Sequence, residues 1–132
     1  METKQQFLAY IRSALDNILD NRSQDALRQT MDGGEFHFSL GMWLRNNWGL
    51  WKGGNELTDY FNSIGIYHAD DMSSIILFCY VKLLRGDDFD FEKEIKKYKD
   101  YWIEHGIDIK KESIRQYKSL WERFKAWIRG YK

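Results

Sequence analysis

Not one of the chain's 132 residues is proline, whereas ten are glycine. Proline ordinarily supplies about 5% of residues, so roughly six or seven are missing. A proline-free backbone keeps all its amide donors and allows long uninterrupted helices. Glycine then becomes the punctuation, ending helices in a left-handed conformation that other residues avoid. This combination argues for helices separated by glycine stops and against a loop-rich β-fold. The length suits one domain whose core needs neither disulfides nor metals.

Hydrophobic spacing supports that reading along the chain. Gln5 to Asp20 sets Phe7, Ile11, Ala14, Leu15, Ile18 and Leu19 on one helical face. Ser23 reads as the cap of a short helix through Gln29, and Gly33-Gly34 breaks the chain. Glu35 to Trp48 reads as a long helix, and Asn55 as the cap of a short one over Glu56 to Ser63. Asp70-Asp71 opens a helix that continues to Arg85 and stops at Gly86, with charges suited to both ends of its dipole. Phe91, Ile95, Tyr98 and Trp102 form a clean stripe ending before Gly106. A last helix over Lys111 to Arg129 aligns Ile114, Tyr117, Leu120, Trp121, Phe124, Trp127 and Ile128. No segment of useful length alternates with period two.

Two of these helices, Glu35–Trp48 and Asp70–Arg85, are apolar nearly all round, which places them inside a bundle. The expected fold is therefore all-α: a single-domain helical bundle over residues 1–132. About five main helices are expected, two apolar and central, wrapped by amphipathic ones.

Several function classes drop out early. Basic and acidic residues both number 20, so overall charge selects no polyanionic partner. Cys79 is the only cysteine, which excludes an intrachain disulfide and any multi-cysteine zinc site. The longest apolar run, Ile75 to Val81, spans seven residues, far below the ~20 needed to cross a bilayer. The polar start, Met1 to Gln6, has no signal-peptide pattern. These observations lead to an expectation of a cytoplasmic protein without a membrane partner.

Chemistry-bearing residues collect in the middle of the chain. Phe36 to Trp51 embeds His37, Arg45, Asn46 and Asn47 among apolar side chains. Buried polar groups need hydrogen-bond partners, and a buried charge needs a counter-charge. Asp70 and Asp71 are the natural partners for Arg45, since a guanidinium matches a carboxylate in two places. The favoured reading is an internal ion pair that serves the fold. The competing reading gathers His37, Arg45, Asn46, Trp48, Tyr67, His68, Asp70, Asp71 and Ser73 at one mouth of the bundle as a ligand site.

No catalytic residue is assigned. No Ser-His-Asp spacing is recognisable, and neighbouring aspartates point about 100° apart on a helix. His37, His68 and His105 are scattered and no H-E-x-x-H occurs, so no metal and no cofactor is expected. His105 reads as a helix-end cap and Cys79 as an inert core thiol. The glycine pairs lack the lysine and hydroxyl residue of a phosphate-binding loop.

Charge is divided along the chain. Residues 1–89 carry eight basic and twelve acidic residues, and residues 90–132 carry twelve and eight. Lys111, Arg115, Lys118, Lys125 and Arg129 lie largely opposite the last helix's apolar stripe. That pattern suits nucleic acid, an acidic partner or a lipid surface. The plainer reading, a solvated face with the tryptophans in the core, is preferred. The two charge-biased halves also fit a dimer in which one copy's acidic half meets another's basic half.

The strings F-H-F-S-L-G-M-W-L-R-N-N-W-G-L-W and G-I-Y-H-A-D-D-M-S-S-I-I-L resemble a family of small bacterial proteins known as a domain of unknown function. The resemblance covers about Phe36 to Leu77. Ala69 stands where members commonly have proline, which loosens the entry to the helix but leaves Asp-Asp-Met-Ser intact. The resemblance implies a bacterial, cytoplasmic origin and carries no activity.

On the sequence, the leading function is a non-enzymatic module that binds another protein or itself as a homodimer. The alternative is a small enzyme or nucleotide-type ligand binder using Arg45, Asn46, His68, Asp70 and Asp71. Nucleic-acid binding through the last helix ranks below both.

Overall fold

The computed structural model describes residues 1–130, apart from the side chain of Tyr117. The helices are α1 (Lys4–Ile18), α2 (Asn21–Arg28), α3 (Met42–Asn47), α4 (Glu56–Ser63), α5 (Ala69–Arg85), α6 (Phe91–Glu104) and α7 (Ile109–Gly130). A 3-10 turn (Gly34–Phe36) and a π-helical turn (His37–Gly41) lead into α3. No strand occurs among the described residues, so the fold is all-α, with seven helices where about five main ones and one or two short ones are expected. None of these helices is long and apolar enough to cross a membrane.

The helix starts follow capping chemistry. Asn55 accepts the N–H of Thr58, whose hydroxyl in turn accepts the N–H of Asn55. Asp90 caps α6 by accepting the N–H of Lys93. Asp20, not Ser23, caps α2: its carboxylate accepts the N–H of Ser23 at 2.8 Å. An ionised acceptor at the positive helix end outcompetes a hydroxyl three residues further on. His105 does serve at the end of α6, with Nδ1 2.7 Å from the Tyr101 carbonyl.

α5 is the core of the molecule, with ten of its seventeen residues buried on all sides. From α1, Phe7, Ile11 and Leu15 are fully buried. Phe7 also stacks on Tyr60 at 5.2 Å and meets the edge of Phe61. A polar clamp fixes α1 to α5: the Tyr80 hydroxyl donates to Asp16 at 2.8 Å, Arg12 donates to the same carboxylate at 2.9 Å, and Arg12 reaches the Leu83 carbonyl at 3.0 Å. Burial alone would raise the Asp16 carboxyl, but the donors Tyr80 and Arg12 outweigh it and hold it below the ordinary value. Burial, reinforced by Asp16, pushes the Tyr80 phenol up.

Two sequence expectations are corrected. The Glu35–Trp48 segment is not one regular helix and is not a second central one. It changes from 3-10 to π to α turns, and Phe38 (79% exposed), Met42 (46%) and Trp43 (39%) face outward. Only Gly41, Leu44 and Arg45 are buried within it. The cause is how closely it lies on α5. Gly33 has φ +76°, and a Cβ there would sit 3.1 Å from Leu77 Cβ. The chain therefore meets α5 nearly backbone to side chain on one side, and no element among the described residues covers the other.

The last helix is the second correction. Ile114, Leu120, Trp121, Phe124, Trp127 and Ile128 are all 43–61% exposed rather than in the core. The circumference of α5 is already taken by α1, α2, the π turn, α3 and α6. Tyr117, expected in the same stripe, lies outside the described side chains. Along α6 the predicted stripe holds, with Phe91 and Ile95 buried and Tyr98 and Trp102 half-buried as the helix leaves the core.

Substituting Gly33→Ala combines an unfavourable φ with a contact that Leu77 must yield to. It should lower stability by about 2 kcal/mol in urea unfolding. An unchanged midpoint would show that the approach to α5 is not tight.

Candidate functional site

The central polar residues form two linked groups where α5 begins. In the first, Arg45 is 5% exposed and reaches three partners. Nη1 donates to Ser73 Oγ at 2.8 Å, Nη2 donates to the His37 carbonyl at 3.3 Å, and Nε lies 3.3 Å from Asp70 Oδ1. Ser73, fully buried, donates its own hydroxyl hydrogen bond to the Asp70 carbonyl at 3.0 Å. The sequence paired Arg45 with either aspartate; Asp70 is the partner. Because Asp70 is half-exposed, the pair stands at the edge of the core rather than inside it.

His68 organises the second group. Its Nδ1 accepts the N–H of Asp70 at 3.0 Å, which makes it the N-cap of α5. That bond leaves the ring proton on Nε2, which faces Gln116 Oε1 of α7 at 2.7 Å. The imidazole stacks on Trp102 of α6 at 5.6 Å and 19°, and meets the Trp51 indole at 5.6 Å and 69°. Trp102 then donates through Nε1 to Asp71 Oδ2 at 2.8 Å. Burial pushes the Asp71 carboxyl above the ordinary aspartate value and the Asp70 charge adds to this; the Trp102 donor and His68 only partly offset it.

Other candidates fall elsewhere. Asn46 is exposed, and Trp48 meets Tyr10 edge-on at 6.0 Å beside a different cleft that also includes Met1. The His37 ring lies 3.5 Å from Ser74 Oγ and edge-on to Phe38, so only its carbonyl joins Arg45. Tyr67 lines a third cleft, toward α7. Sequence reasoning missed Trp102 and Gln116 as partners. The indole N–H of Trp102 was a readable signal, since a half-buried stripe tryptophan needs an acceptor. Nothing in the sequence marks Gln116.

Between α5 and α6 the arrangement leaves a cleft of about 760 Å³, lined by His68, Asp70, Asp71, Asp100, Glu104 and a single lysine, Lys97, with the Tyr98, Tyr101 and Trp102 rings. Its carboxylates suit cationic or hydrogen-bonding groups. Among the described residues no nucleophile with an adjacent base faces it: Ser73 is tied to Arg45, and the buried Cys79 thiol is pushed up by desolvation. Among the described residues no group of three or more His, Cys, Asp or Glu side chains is placed to hold a metal ion.

Compared with known proteins, residues 9–84 match a family profile described as a domain of unknown function, DUF6794. No curated protein and no solved structure matches the chain. The matched segment runs from α1 to the end of α5. It contains Arg45, His68, Asp70, Asp71 and Ser73 but not Trp102 or Gln116.

Arg45→Ala should cost about 3 kcal/mol, because Ser73 and the His37 carbonyl lose their donor and a void remains. Asp70→Asn should cost within about 1 kcal/mol, because its carboxylate is half in solvent. Equal losses would place the pair deeper than this geometry allows. Asp71 has the opposite sign. An acid raised in the fold holds its proton more tightly folded than unfolded, so its contribution falls as pH rises from the ordinary aspartate value through the raised one. Asp71→Asn retains an acceptor for Trp102 and should equal or exceed the parent in thermal stability at pH 7. That advantage should vanish below the ordinary aspartate range. A marked loss at pH 7 would mean the charge itself is needed.

Proposed function

The chain belongs to the DUF6794 family of domains of unknown function, and from that premise we propose a non-enzymatic, self-associating module of the bacterial cytoplasm. In this reading the outer half of α7 docks on the Phe38–Met42–Trp43 face of a second copy. One observation carries it. From Lys118 to Arg129 every residue except Lys125 is exposed, although the stretch bears a full apolar stripe. Trp121, Phe124 and Trp127 stack in sequence at 5.7 and 6.3 Å, forming a ladder whose rings are 48–61% exposed. A helical stretch of this length is marginal in water on its own. Contiguous apolar patches of this kind mark interaction surfaces.

Charge favours a particular match. α7 belongs to the basic part of the chain, and its Lys118 and Lys125 lie along one edge of the apolar stripe. Two antiparallel α7 helices would set that lysine edge against itself. The Phe38–Met42–Trp43 face lies in the acidic part, residues 1–89, and is another exposed apolar surface. Reciprocal docking of each α7 on the other copy closes as a two-fold dimer.

An enzyme built on Arg45, His68 and the aspartates is less well supported, because those side chains are consumed by each other. A nucleic-acid role is weakened by the pairing of Arg115 with Glu112 and of Lys125 with Glu122.

Light scattering after size exclusion should give a dimer at tens of micromolar. Phe124→Glu and Phe38→Glu, each with unchanged helicity, should weaken association by about 30-fold, as loss of a central aromatic anchor does. Raising salt should weaken it further. A monomer under all these conditions contradicts the reading.

A further inference from the structure

The cleft lined by Tyr67, of about 350 Å³, lies between the loop after α3, α4 and the first half of α7. Its floor is apolar, with Leu50 and Met72 buried beneath it. Trp51 and Tyr67 contribute aromatic rings, and Lys52, Lys110 and Lys118 contribute ammonium groups. No carboxylate lines it among the described residues, although the chain has as many acids as bases. None of the three lysines is in an ion pair among those residues, and Lys110 Nζ only overlooks the Tyr67 ring at 5.9 Å. Three like charges around one cleft repel one another unless an anion joins them.

A second, independent observation points the same way. Ser113 Oγ, on the α7 wall of this cleft, is the one buried side-chain oxygen or nitrogen without a hydrogen-bond partner among the described residues. Folded proteins leave few such groups unsatisfied, and a binding role is one reason they persist. Apolar floor, aromatic walls and a few convergent polar groups are the usual composition of small-molecule sites.

We infer that this cleft binds a small amphiphilic anion, an aromatic or apolar body lying against Trp51 and Tyr67. Its carboxylate or phosphate head meets the lysines and Ser113. The site is separate from the acidic cleft around Asp71 and shares only Lys118 with the outer half of α7.

The test uses the full chain, 2-naphthoate and 2-naphthyl phosphate as probes, and 2-naphthamide as the neutral counterpart. The readouts are the Trp51 indole N–H and the Ser113 amide in ¹H–¹⁵N spectra. At least one anion should shift both signals at submillimolar concentration, with the amide about tenfold weaker or more. The tighter of the two anions identifies the head group. Replacing Lys52, Lys110 and Lys118 together by Gln should cost about tenfold or more in affinity. Ser113→Ala should cost about fivefold without lowering the melting temperature, since the hydroxyl has no partner to lose. Trp127→Glu should leave the titration unchanged, which separates this site from self-association. Silence at both signals up to millimolar anion, or equal binding of the amide or by the triple variant, overturns the inference.

Discussion

His68 is the point at which four parts of this structure are fastened together. Through Nδ1 it caps α5, and through Nε2 it holds Gln116 of α7. Its faces and edge meet Trp102 of α6 and Trp51 of the loop after α3. A buried imidazole must satisfy both nitrogens, and here each bond also positions a different helix. Because Trp102 is held against it, the indole N–H is aimed at Asp71, and that carboxylate is drawn into a site where burial opposes its ionisation. The start of α5, the end of α6 and the angle at which α7 leaves the body are thus set by one side chain.

This arrangement divides the molecule into a closed part and an open part. Around Arg45 and Ser73 the polar groups satisfy one another, which suits structural specificity rather than turnover. The surfaces proposed for binding lie where α7 meets or leaves the body. Its first half is docked by Gln116 and walls a lysine-rimmed cleft; its second half presents a tryptophan and phenylalanine ladder to solvent. The family match ends at the close of α5, so both open surfaces draw on residues beyond it.

What could be read from the sequence was local chemistry. Asn55 as the cap of α4, the paired aspartates at the head of α5, Gly86 at its end and the α6 stripe all act within a few residues, and the structure has them as expected. What could not be read depended on how many neighbours a helix finds. The α7 stripe has the spacing of a core helix, but spacing does not say whether a surface remains to receive it. The same limit applies to Phe36–Trp48, where apolar residues on every face suggested burial while close contact at Gly33 permits only one buried side. For the site, the Arg45–aspartate pairing follows from charge alone. The link from Asp71 to Trp102 and from His68 to Gln116 needs the three-dimensional meeting of helices 31 and 48 residues apart in sequence.

The central claim is that α7 is fastened by its first half only, leaving the second half to be covered by another copy. Hydrogen exchange across a protein concentration series tests this directly. In dilute monomer, amides up to Gln116 should be protected along with α5, while those from Lys118 onward exchange as in an isolated helix. Protection of the outer half should then rise with concentration. An outer half as protected as α5 in dilute monomer would contradict the account.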